Sequence, residues 1–307
     1  MRRLPGTSGG IFPGWSPDGR WVGFFDPFKL KKIDVASGQV FTVAEAGSTG
    51  QGWAWAPDGT VLFGAQGAPI RRAPATGGVP EPLTVLDRSR GEVEHAWPWL
   101  LPGGKRLLFL VHSSQPGTQG IWVASLANPT DRKRHLADNS NAAYAGGYLL
   151  FVRGGALMAQ PFDPERAELS GTPEAVAPKI GYTPTNGDGA FGVSSSGVLA
   201  WSPVYMTTSK ARLTWFDRSG ARLGDVGPAK SYTSVALSPD GKRIAASNLD
   251  MSTTWPLLIL DPARGTTTDI GRRDASYLYP VWSPDESRIA YGAIRGGTLE
   301  LFVQSSS

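Results

Sequence analysis

The turn Ser-Pro-Asp-Gly recurs along this chain at nearly even intervals. It reads W-S-P-D-G at Trp15–Gly19, W-A-P-D-G at Trp55–Gly59, L-S-P-D-G at Leu237–Gly241 and W-S-P-D-E at Trp282–Glu286. Three weaker copies end at Gly104, Gly147 and Gly197, and the last residues of the seven turns are 40, 45, 43, 50, 44 and 45 residues apart. A period in the forties that is built from short strands predicts a β-propeller with one blade per repeat.

Each residue type in the turn has a conformational role. Proline presets φ at the second position, aspartate accepts local backbone hydrogen bonds, and glycine supplies the positive φ that closes the hairpin. The structural residues of the turns are therefore predicted to be Asp18, Gly19, Asp58, Gly59, Gly104, Gly197, Asp240, Gly241 and Asp285. Glu286 stands where the other turns have glycine, which indicates either a strained residue at positive φ or a different turn type.

A short apolar strand precedes each turn and another follows it, and a third and a fourth strand complete the repeat. The sequence thus predicts an all-β fold, a β-propeller of four-stranded antiparallel blades, with seven blades in one domain over residues 1–307. The predicted blades cover residues 6–46, 47–88, 89–138, 139–180, 181–228, 229–272, and 273–307 together with 1–5. The tryptophans before the turns are expected to pack between neighbouring blades.

The last repeat ends after its third strand, at Leu299–Gln304. The segment Arg2–Pro5 is a candidate for the missing outer strand, which would join the first and last blades without an open seam. The alternative is that the chain is a piece of a longer array of blades.

Composition narrows the classes of function. The chain has no cysteine, which excludes disulfide and thiol chemistry. It has no apolar run long enough for a membrane span and no apolar N-terminal stretch typical of a signal peptide. The net charge is +4, but the basic residues come in scattered pairs rather than in a stripe, so no nucleic-acid partner is expected. We expect a monomer, and a cytoplasmic one if the chain is complete.

Catalytic motifs are missing. The segment Gly192–Gly197 has one residue too many for a G-x-S-x-G elbow, and no phosphate-binding loop or metal-ligand triplet occurs. All three histidines, His95, His112 and His135, fall in the third predicted blade. His95 and His112 could approach each other near Glu92 or Glu94 as a metal or acid–base site, but exposed or hydrogen-bonded loop histidines are the simpler interpretation. We therefore predict no catalytic residue, no metal and no cofactor.

A ligand is expected where the loops that lead into the innermost strands gather around the axis. These loops carry polar and aromatic side chains suited to a peptide, a protein segment or a polar small molecule. The candidate binding residues are Glu94, His95, Asn139, Asn141, Tyr144, Asp188, Tyr232, Tyr277 and Tyr279.

Several stretches resemble a known family. W-S-P-D-G-R, L-S-P-D-G-K-R-I-A and W-S-P-D-E-S-R-I-A resemble the TolB-like, WD-type propeller repeat. G-I-F-P-G-W-S-P-D-G-R-W-V-G-F-F, R-G-E-V-E-H-A-W-P-W-L-L-P-G-G and S-N-A-A-Y-A-G-G-Y-L-L-F-V-R look like the propeller region of bacterial transmembrane serine/threonine kinases. The resemblance implies a bacterial signalling or sensor module, which would be extracytoplasmic in the fused form. Neither a kinase domain nor a membrane helix is present in this chain.

Three hypotheses remain open. The first is a non-catalytic propeller that binds protein, peptide or ligand. The second is the propeller domain of a hydrolase, such as an oligopeptidase, or of a carbohydrate-active enzyme. The third is a truncated remnant without an independent function.

Overall fold

The computed structural model describes residues 2–26, 28–193, 199–202, 211–216, 221–248, 255–270, 275–295 and 298–306. Nearly all regular structure is β, with two short 3-10 helices at Arg88–Arg90 and Pro102–Gly104. Six antiparallel sheets of four or more strands follow one another along the chain, and we name them blades A to F. The architecture is an all-β propeller of four-stranded antiparallel blades, as the repeat predicts.

The strands of the six blades are as follows. Blade A has Ile11–Trp15, Trp21–Asp26, Lys29–Asp34 and Val40–Glu45. Blade B has Gly50–Trp55, Thr60–Ala65, Arg71–Pro74 and Glu81–Pro82. Blade C has Glu92–Leu100, Arg106–Ser113, Gly120–Ser125 and Arg132–Leu136. Blade D has Ala142–Ala145, Tyr148–Arg153 and Ala156–Asp163, and its third strand pairs with both Glu168–Leu169 and Glu174–Ala177. Blade E has Tyr232–Leu237, Ile244–Asn248, Leu257–Asp261 and Thr266–Asp269. Blade F has Ser276–Trp282, Arg288–Arg295 and Thr298–Ser305, with Arg2–Arg3 as its fourth strand.

The described residues form six complete sheets, one fewer than the seven blades that the sequence predicts. The span predicted as the fifth blade holds three separate two-stranded ladders instead: Tyr182–Thr183 with Asp188–Gly189, Phe191–Val193 with Leu199–Trp201, and Ala211–Phe216 with Arg222–Lys230. Four of these strands have only two or three residues, which gives few ladder hydrogen bonds. Residues 203–210 of this span lie outside the described residues.

Arg2–Arg3 forms a two-residue strand at the start of the chain. It pairs antiparallel with Thr298–Ser305, with Arg2 opposite Val303 and Arg3 opposite Phe302. The backbone N–H of Leu4 donates to the Leu301 carbonyl at 2.8 Å, and the Leu4 side chain is fully buried. The ladder thus covers Arg2 and Arg3 of the predicted Arg2–Pro5 strand.

The repeated turns have the predicted geometry wherever they are described. Asp18, Asp240 and Asp285 each accept the serine hydroxyl two residues earlier and the backbone N–H two residues later, and Asp58 accepts the Thr60 N–H at 2.9 Å. Positive φ angles follow at Gly19, Gly59, Gly104, Gly241 and, at 61°, Glu286. Glu286 is therefore a residue at positive φ, as the first of the two alternatives predicts, and does not mark a different turn type. Gly197 lies outside the described residues.

The core lies between neighbouring blades. One cluster joins Phe25 and Leu30 of blade A to Val61 and Phe63 of blade B, and another joins Val22 and Ile33 of blade A to Leu301 and Val303 of blade F. The indole N–H of Trp15 donates to the Val281 carbonyl of blade F at 3.0 Å, and that of Trp282 donates to the Ala236 carbonyl of blade E at 3.1 Å. For Trp15 and Trp282 these contacts confirm the prediction that tryptophans before the turns pack between blades.

Candidate functional site

Three aromatic side chains from the innermost strands of three blades meet in a region that we call the axial end. They are Phe12 of blade A, Trp97 of blade C and Tyr279 of blade F. The Phe12 ring lies 5.6 Å from the Trp97 ring, edge to face, and 5.8 Å from the Tyr279 ring. All three residues are half-buried, so this aromatic cluster keeps an exposed surface.

A shared backbone feature brings these rings together. Phe12, Trp97 and Tyr279 have positive φ angles of 52°, 54° and 52°, and each lies at a register shift in the first ladder of its blade. A bulge re-aims the side chain next to it. Gly52 of blade B has a similar position and a φ of 78°, and a Cβ there would lie 2.7 Å from Trp97 Cε3. The Trp97 ring therefore fills the space that a side chain of blade B would need.

A carboxylate network adjoins this cluster. Glu94 Oε1 accepts hydrogen bonds from His112 Nδ1 at 2.6 Å and Gln51 Nε2 at 3.2 Å, and Oε2 accepts the Gly67 backbone N–H at 2.8 Å. Burial of Glu94 favours its neutral form, but the hydrogen bonds from His112 and Gly67 outweigh that effect and lower the carboxyl pKa. Glu94 is thus held as an anion in a buried setting.

The predicted residues Asn139 and Asn141 anchor the short hairpin at 182–189. Asn141 bonds Gly189 through both ends of its amide, with the Gly189 N–H donated to Oδ1 at 3.0 Å. Asn139 Nδ2 donates to the Pro184 carbonyl at 2.8 Å, and the Tyr182 hydroxyl donates to the Asn139 carbonyl. The Trp97 indole N–H donates to the Asn186 carbonyl at 2.6 Å, so the hairpin is also tied to the aromatic cluster.

Asp188 belongs to this hairpin and lies near Tyr279. Burial raises the pKa of the Tyr279 hydroxyl, and the negative charge of Asp188 raises it further. Glu94, Asn139, Asn141, Asp188 and Tyr279 are therefore the candidate residues that the structure places at the axial end, although both asparagines bind backbone groups there.

The other candidate residues lie in the interior. Tyr232 and Tyr277 are 1% and 0% exposed, with the Tyr232 hydroxyl donated to the Pro228 carbonyl and Tyr277 packed on Tyr291. Tyr144 packs on Phe162 in the core between blades C and D. Tyr232 and Tyr277 therefore support the blades rather than present a surface, whereas Tyr144 is half-buried and packs with one side against this core. Phe12, Trp97 and Gln51 were not among the candidates, because a bulge in an apolar strand has no clear sequence signal.

His95 is also buried, in a separate network. Its Nδ1 accepts the Thr84 hydroxyl at 2.7 Å and its Nε2–H faces Glu92 Oε2 at 3.1 Å. Arg132 Nη2 lies 3.0 Å from both Glu92 oxygens. Burial lowers the pKa of His95, although the charge of Glu92 opposes this shift. His95 and His112 occupy adjacent opposed pairs along one ladder, so their side chains point to opposite faces.

Within the described residues, no group of three or more histidine, cysteine, aspartate or glutamate side chains is arranged to hold a metal ion. In the same part of the chain, no helix is long and apolar enough to cross a membrane.

A cavity of about 700 Å³ opens at the opposite end, between blades B and C. Its floor includes Leu62, Leu83 and Leu126, and charged side chains of both signs line its rim, among them Arg72, Lys105 and Asp131. Its volume suits a small ligand. Because charges of both signs line this cavity, its electrostatics favour neither a cationic nor an anionic ligand.

Comparison with known proteins identifies the fold class. No protein-family model matches the chain, and no curated protein matches it significantly. Among solved structures, the β-propeller domain of Cps50 (Swd1) from Myceliophteria thermophila is 12% identical, with a TM-score of 0.69 over 98% of this chain and 99% of that one. The protein is therefore similar in fold to a β-propeller domain.

Two further structures are similar. A puromycin-hydrolyzing peptidase from Mycobacterium tuberculosis is 15% identical, with a TM-score of 0.61 over 92% of this chain and 48% of that one. This chain thus spans about half the length of the peptidase. The calcium-binding protein regucalcin from Agrobacterium tumefaciens is 18% identical, with a TM-score of 0.56 over 80% of this chain and 84% of that one. At these identities the likeness concerns the fold alone.

Proposed function

We propose that this chain is a non-catalytic binding propeller, which recognises a peptide or a polar protein segment at its axial end. The observation that carries the proposal is the cluster of Phe12, Trp97 and Tyr279 from three blades beside the carboxylate of Glu94. Half-buried aromatic rings next to oriented polar groups are typical of recognition surfaces. The resemblance to the propeller region of bacterial transmembrane kinases supports a role as a sensor or interaction module in bacterial signalling.

Backbone strain supports the same conclusion. A bulky residue at positive φ costs about 1–3 kcal/mol. The chain uses Phe12, Trp97 and Tyr279 at such positions, whereas Gly52 adopts a similar conformation at no such cost. Local strain that a glycine would relieve is often retained where a side chain has a functional role. That role here is contact with the bound segment.

We also propose a seventh blade and a closed ring. Phe191–Val193 contacts the first strands of both blade D and blade E, which is the position of an innermost strand between them. The ladder Phe191–Val193 with Leu199–Trp201 and the ladder Ala211–Phe216 with Arg222–Lys230 would then be two halves of one blade. The pairing of Arg2–Arg3 with the last strand would join blade F to the start of the chain.

A second candidate function is the propeller domain of a hydrolase. The match to half of a larger peptidase favours it, although at 15% identity. The gene sequence separates the two candidates. An in-frame hydrolase domain with a G-x-S-x-G motif would favour the enzyme, and an in-frame kinase domain with a membrane helix upstream would favour the sensor. If the gene encodes neither domain and the binding test below is negative, the remnant hypothesis is the one that is left.

A peptide library tests binding directly. The immobilised protein is panned against a random peptide library, and affinities of the enriched peptides are measured for the wild type, for Tyr279→Ala and for Lys105→Ala. We expect Tyr279→Ala to weaken binding about tenfold or more, as loss of an aromatic anchor does, and Lys105→Ala at the opposite end to bind as the wild type. No enrichment, or enrichment that depends only on Lys105, would overturn the proposal.

A further inference from the structure

Blades E, F and A are joined by two equivalent contacts, in which an arginine beside the start of a second strand reaches the next blade. At the joint between E and F, the Arg243 guanidinium lies 4.6 Å from the centre of the Trp282 ring, and Nη2 donates to the Glu286 carbonyl at 3.3 Å. The same Nη2 lies 3.7 Å from the Glu286 carboxylate, and Nη1 donates to Ser306. Arg243 therefore has a counter-charge within the fold.

The joint between blades F and A has the same arginine but no carboxylate. The Arg288 guanidinium lies 4.9 Å from the centre of the Trp15 ring, and Nη2 donates to the Gly19 carbonyl at 2.9 Å. Gly19 and Glu286 are equivalent residues, because each is the last of its turn and has a positive φ, of 66° and 61°. In the described part of the chain, Arg288 thus has no counterpart of the ion pair that Glu286 makes with Arg243.

The second polar partner is also replaced at this joint. Val35 stands where blade F has Ser306, since the N–H groups of these two residues donate to the equivalent Arg20 and Ser287 carbonyls, each at 3.0 Å. Val35 is 2% exposed and offers Arg288 only an apolar surface. With glycine and valine in place of the two polar partners, a cavity of about 360 Å³ lies beside the arginine.

This cavity is lined by cationic, apolar and uncharged polar residues. The lining residues are Arg2, Val35, Arg288, Val303, Gln304 and Ser305, and none of them is acidic. Arg2 lies opposite Val303 in the last ladder of blade F, and its Nη1 donates to the Ala36 carbonyl at 3.1 Å. A guanidinium has five N–H donors, so both arginines keep donors beyond the one that binds a carbonyl.

The carboxylates that follow or precede these contacts along the chain are engaged in turns. Asp34 accepts hydrogen bonds from Arg20 Nε at 2.8 Å and from two backbone N–H groups of its own turn. Asp285 accepts two serine hydroxyls of its turn, which lower its pKa to about 2, and the charge of Arg288 has the smallest effect on it. Neither carboxylate forms an ion pair with the two guanidiniums of the cavity.

We propose that Arg2 and Arg288 form a site for a carboxylate of a protein partner, carried by an acidic side chain or by a C-terminus. The precedent lies within the chain, because the equivalent arginine pairs with the carboxylate of Glu286. The planar fork of a guanidinium matches a carboxylate, and the cavity volume suits one side chain with apolar contact to Val35 and Val303. The site is separate from the aromatic cluster, so it goes beyond the proposed function and does not rest on it.

Amide spectra of the ¹⁵N-labelled wild type test the site. The reporters are Arg20 and Ser37, whose N–H groups share peptide units with the carbonyls that hold the two guanidiniums. Nα-acetyl-glutamate N-methylamide presents a side-chain carboxylate, Nα-acetyl-valine a terminal one, and Nα-acetyl-glutamine N-methylamide is the neutral control. We expect saturable shifts with a carboxylate and none with the control, and the tighter carboxylate identifies the source. No shift, equal shifts with the control, or binding of inorganic phosphate but of neither carboxylate would overturn the proposal.

A glutamate placed at the site by substitution gives the sharpest variant. Gly19→Glu reproduces the turn of blade F, and a Cβ there would lie 3.5 Å from Pro284 Cδ and 3.9 Å from Arg288 Nη2, which is ordinary contact. The new carboxylate should occupy the site and abolish binding of the probe. Gly59→Glu is the matched control in the turn of blade B, where a Cβ meets nothing within 4 Å, and should leave binding unchanged. Undiminished binding in the Gly19→Glu variant would contradict the site.

Removal of single arginines adds a second readout. Arg2→Gln should weaken probe binding about tenfold, the effect of losing a charge-assisted hydrogen bond, and Arg288→Gln at least as much. Arg2 is exposed, so its variant tests the site even if Arg288→Gln fails to fold. Arg243→Gln at the other joint and Tyr279→Ala at the axial end should leave probe binding unchanged. A loss with Arg243→Gln as large as that with Arg2→Gln would place the binding elsewhere and overturn the proposal.

Discussion

Two glutamate–histidine pairs lie two residues apart in blade C and have opposite characters. Glu92 and His95 are fully buried, and each of their side-chain polar atoms has a hydrogen-bond or an ion-pair partner: Thr84, the Asp87 N–H and Arg132, whose Nη2 lies 3.0 Å from Glu92 Oε1 without a hydrogen bond. Glu94 and His112 lie at the axial end, and this pair leaves His112 Nε2 without a partner. Within the fold the Glu92 pair therefore has a counter-charge at each polar atom that lacks a hydrogen bond, whereas the Glu94 pair leaves one buried ring nitrogen with neither.

One extra residue separates the two pairs. Glu92 pairs with Ser113 and Glu94 with His112, so Val93 is the inserted residue of a β-bulge. Without it, residues two apart would point to the same face. The bulge sends Glu92 toward His95 and Glu94 toward His112. The contrast between the pairs therefore depends on the backbone and not on residue types.

Removal of the Glu92 charge should have the largest effect on stability, and removal of the Glu94 charge a much smaller one. Glu92→Gln leaves the guanidinium of Arg132, whose side chain is 13% exposed, without a counter-charge. We expect a loss of about 3 kcal/mol in the free energy of unfolding, measured by urea denaturation. The matched change Glu94→Gln, which removes no arginine partner, should cost about 1 kcal/mol. Equal losses would contradict a structural role specific to the Glu92 pair.

The turn chemistry and the repeat period were enough to predict the propeller, because Asp18, Asp240 and Asp285 act within four residues of chain. The site was harder to predict. Tyr232 and Tyr277 have the composition of binding residues but are core residues, since strand register and not residue type decides burial. Phe12 and Trp97 belong to apolar strands, and only the bulges turn them to the axis. The predicted fifth blade would need long-range pairing across residues 191–230, which the repeat period alone does not specify.

Gly187 should be nearly as sensitive as Glu92, for steric reasons. Its φ is 70°, and a Cβ would overlap Leu110 Cδ2. We expect Gly187→Ala to lower the free energy of unfolding by about 2 kcal/mol, the sum of backbone strain and overpacking. Gly147→Ala is the control, because φ there is 92° and a Cβ would meet nothing within 4 Å. It should cost about 1 kcal/mol. If the control loses as much, the space beside His112 is not tightly packed.

The pH range over which the protein loses stability distinguishes the contribution of the histidines from that of the carboxylates. Burial lowers the pKa of His135 from 6.5 to about 4, and the charges of Lys133 and Arg106 add to the effect. The unfolded chain then binds a proton that the folded chain does not, so stability falls as the pH drops from 6.5 toward 4. His135→Gln should reduce this fall in melting temperature, and the share due to His95 should remain. An unchanged pH profile would show that His135 is accessible to solvent protons in the folded state.

The Glu92 carboxyl should affect the stability of the protein at a lower pH than His135 does. The hydrogen bond from His95, with those from Asp87 and Arg132, outweighs the opposing effect of burial and lowers the pKa of Glu92 from 4.5 to about 2. Its stabilising effect is complete above pH 4.5 and is lost as the pH falls toward 2. The stability difference between wild type and Glu92→Gln should therefore shrink only below pH 4.5. A difference that shrinks already near pH 6 would contradict the lowered pKa.

The smallest effect is expected at the bond that covers the incomplete pair. Trp97→Phe keeps an aromatic ring but removes the N–H that is donated to the Asn186 carbonyl at 2.6 Å. We expect a loss of about 1 kcal/mol and faster hydrogen exchange at the Gly187 and Gly189 amides, because the hairpin at 182–189 loses one of its ties. The control Trp53→Phe removes the bond to the Phe12 carbonyl in blade A, 2.7 Å long, and should leave exchange in the hairpin unchanged. The Asp87 amide, which donates to Glu92, reports on the other pair. Faster exchange at the hairpin with unchanged exchange at Asp87 would show that the structure around the Glu94 pair unfolds locally while the structure around the Glu92 pair stays folded. Equal acceleration at both places would mean that the two pairs open together, and the contrast between them would then be one of hydrogen bonding and not of local stability.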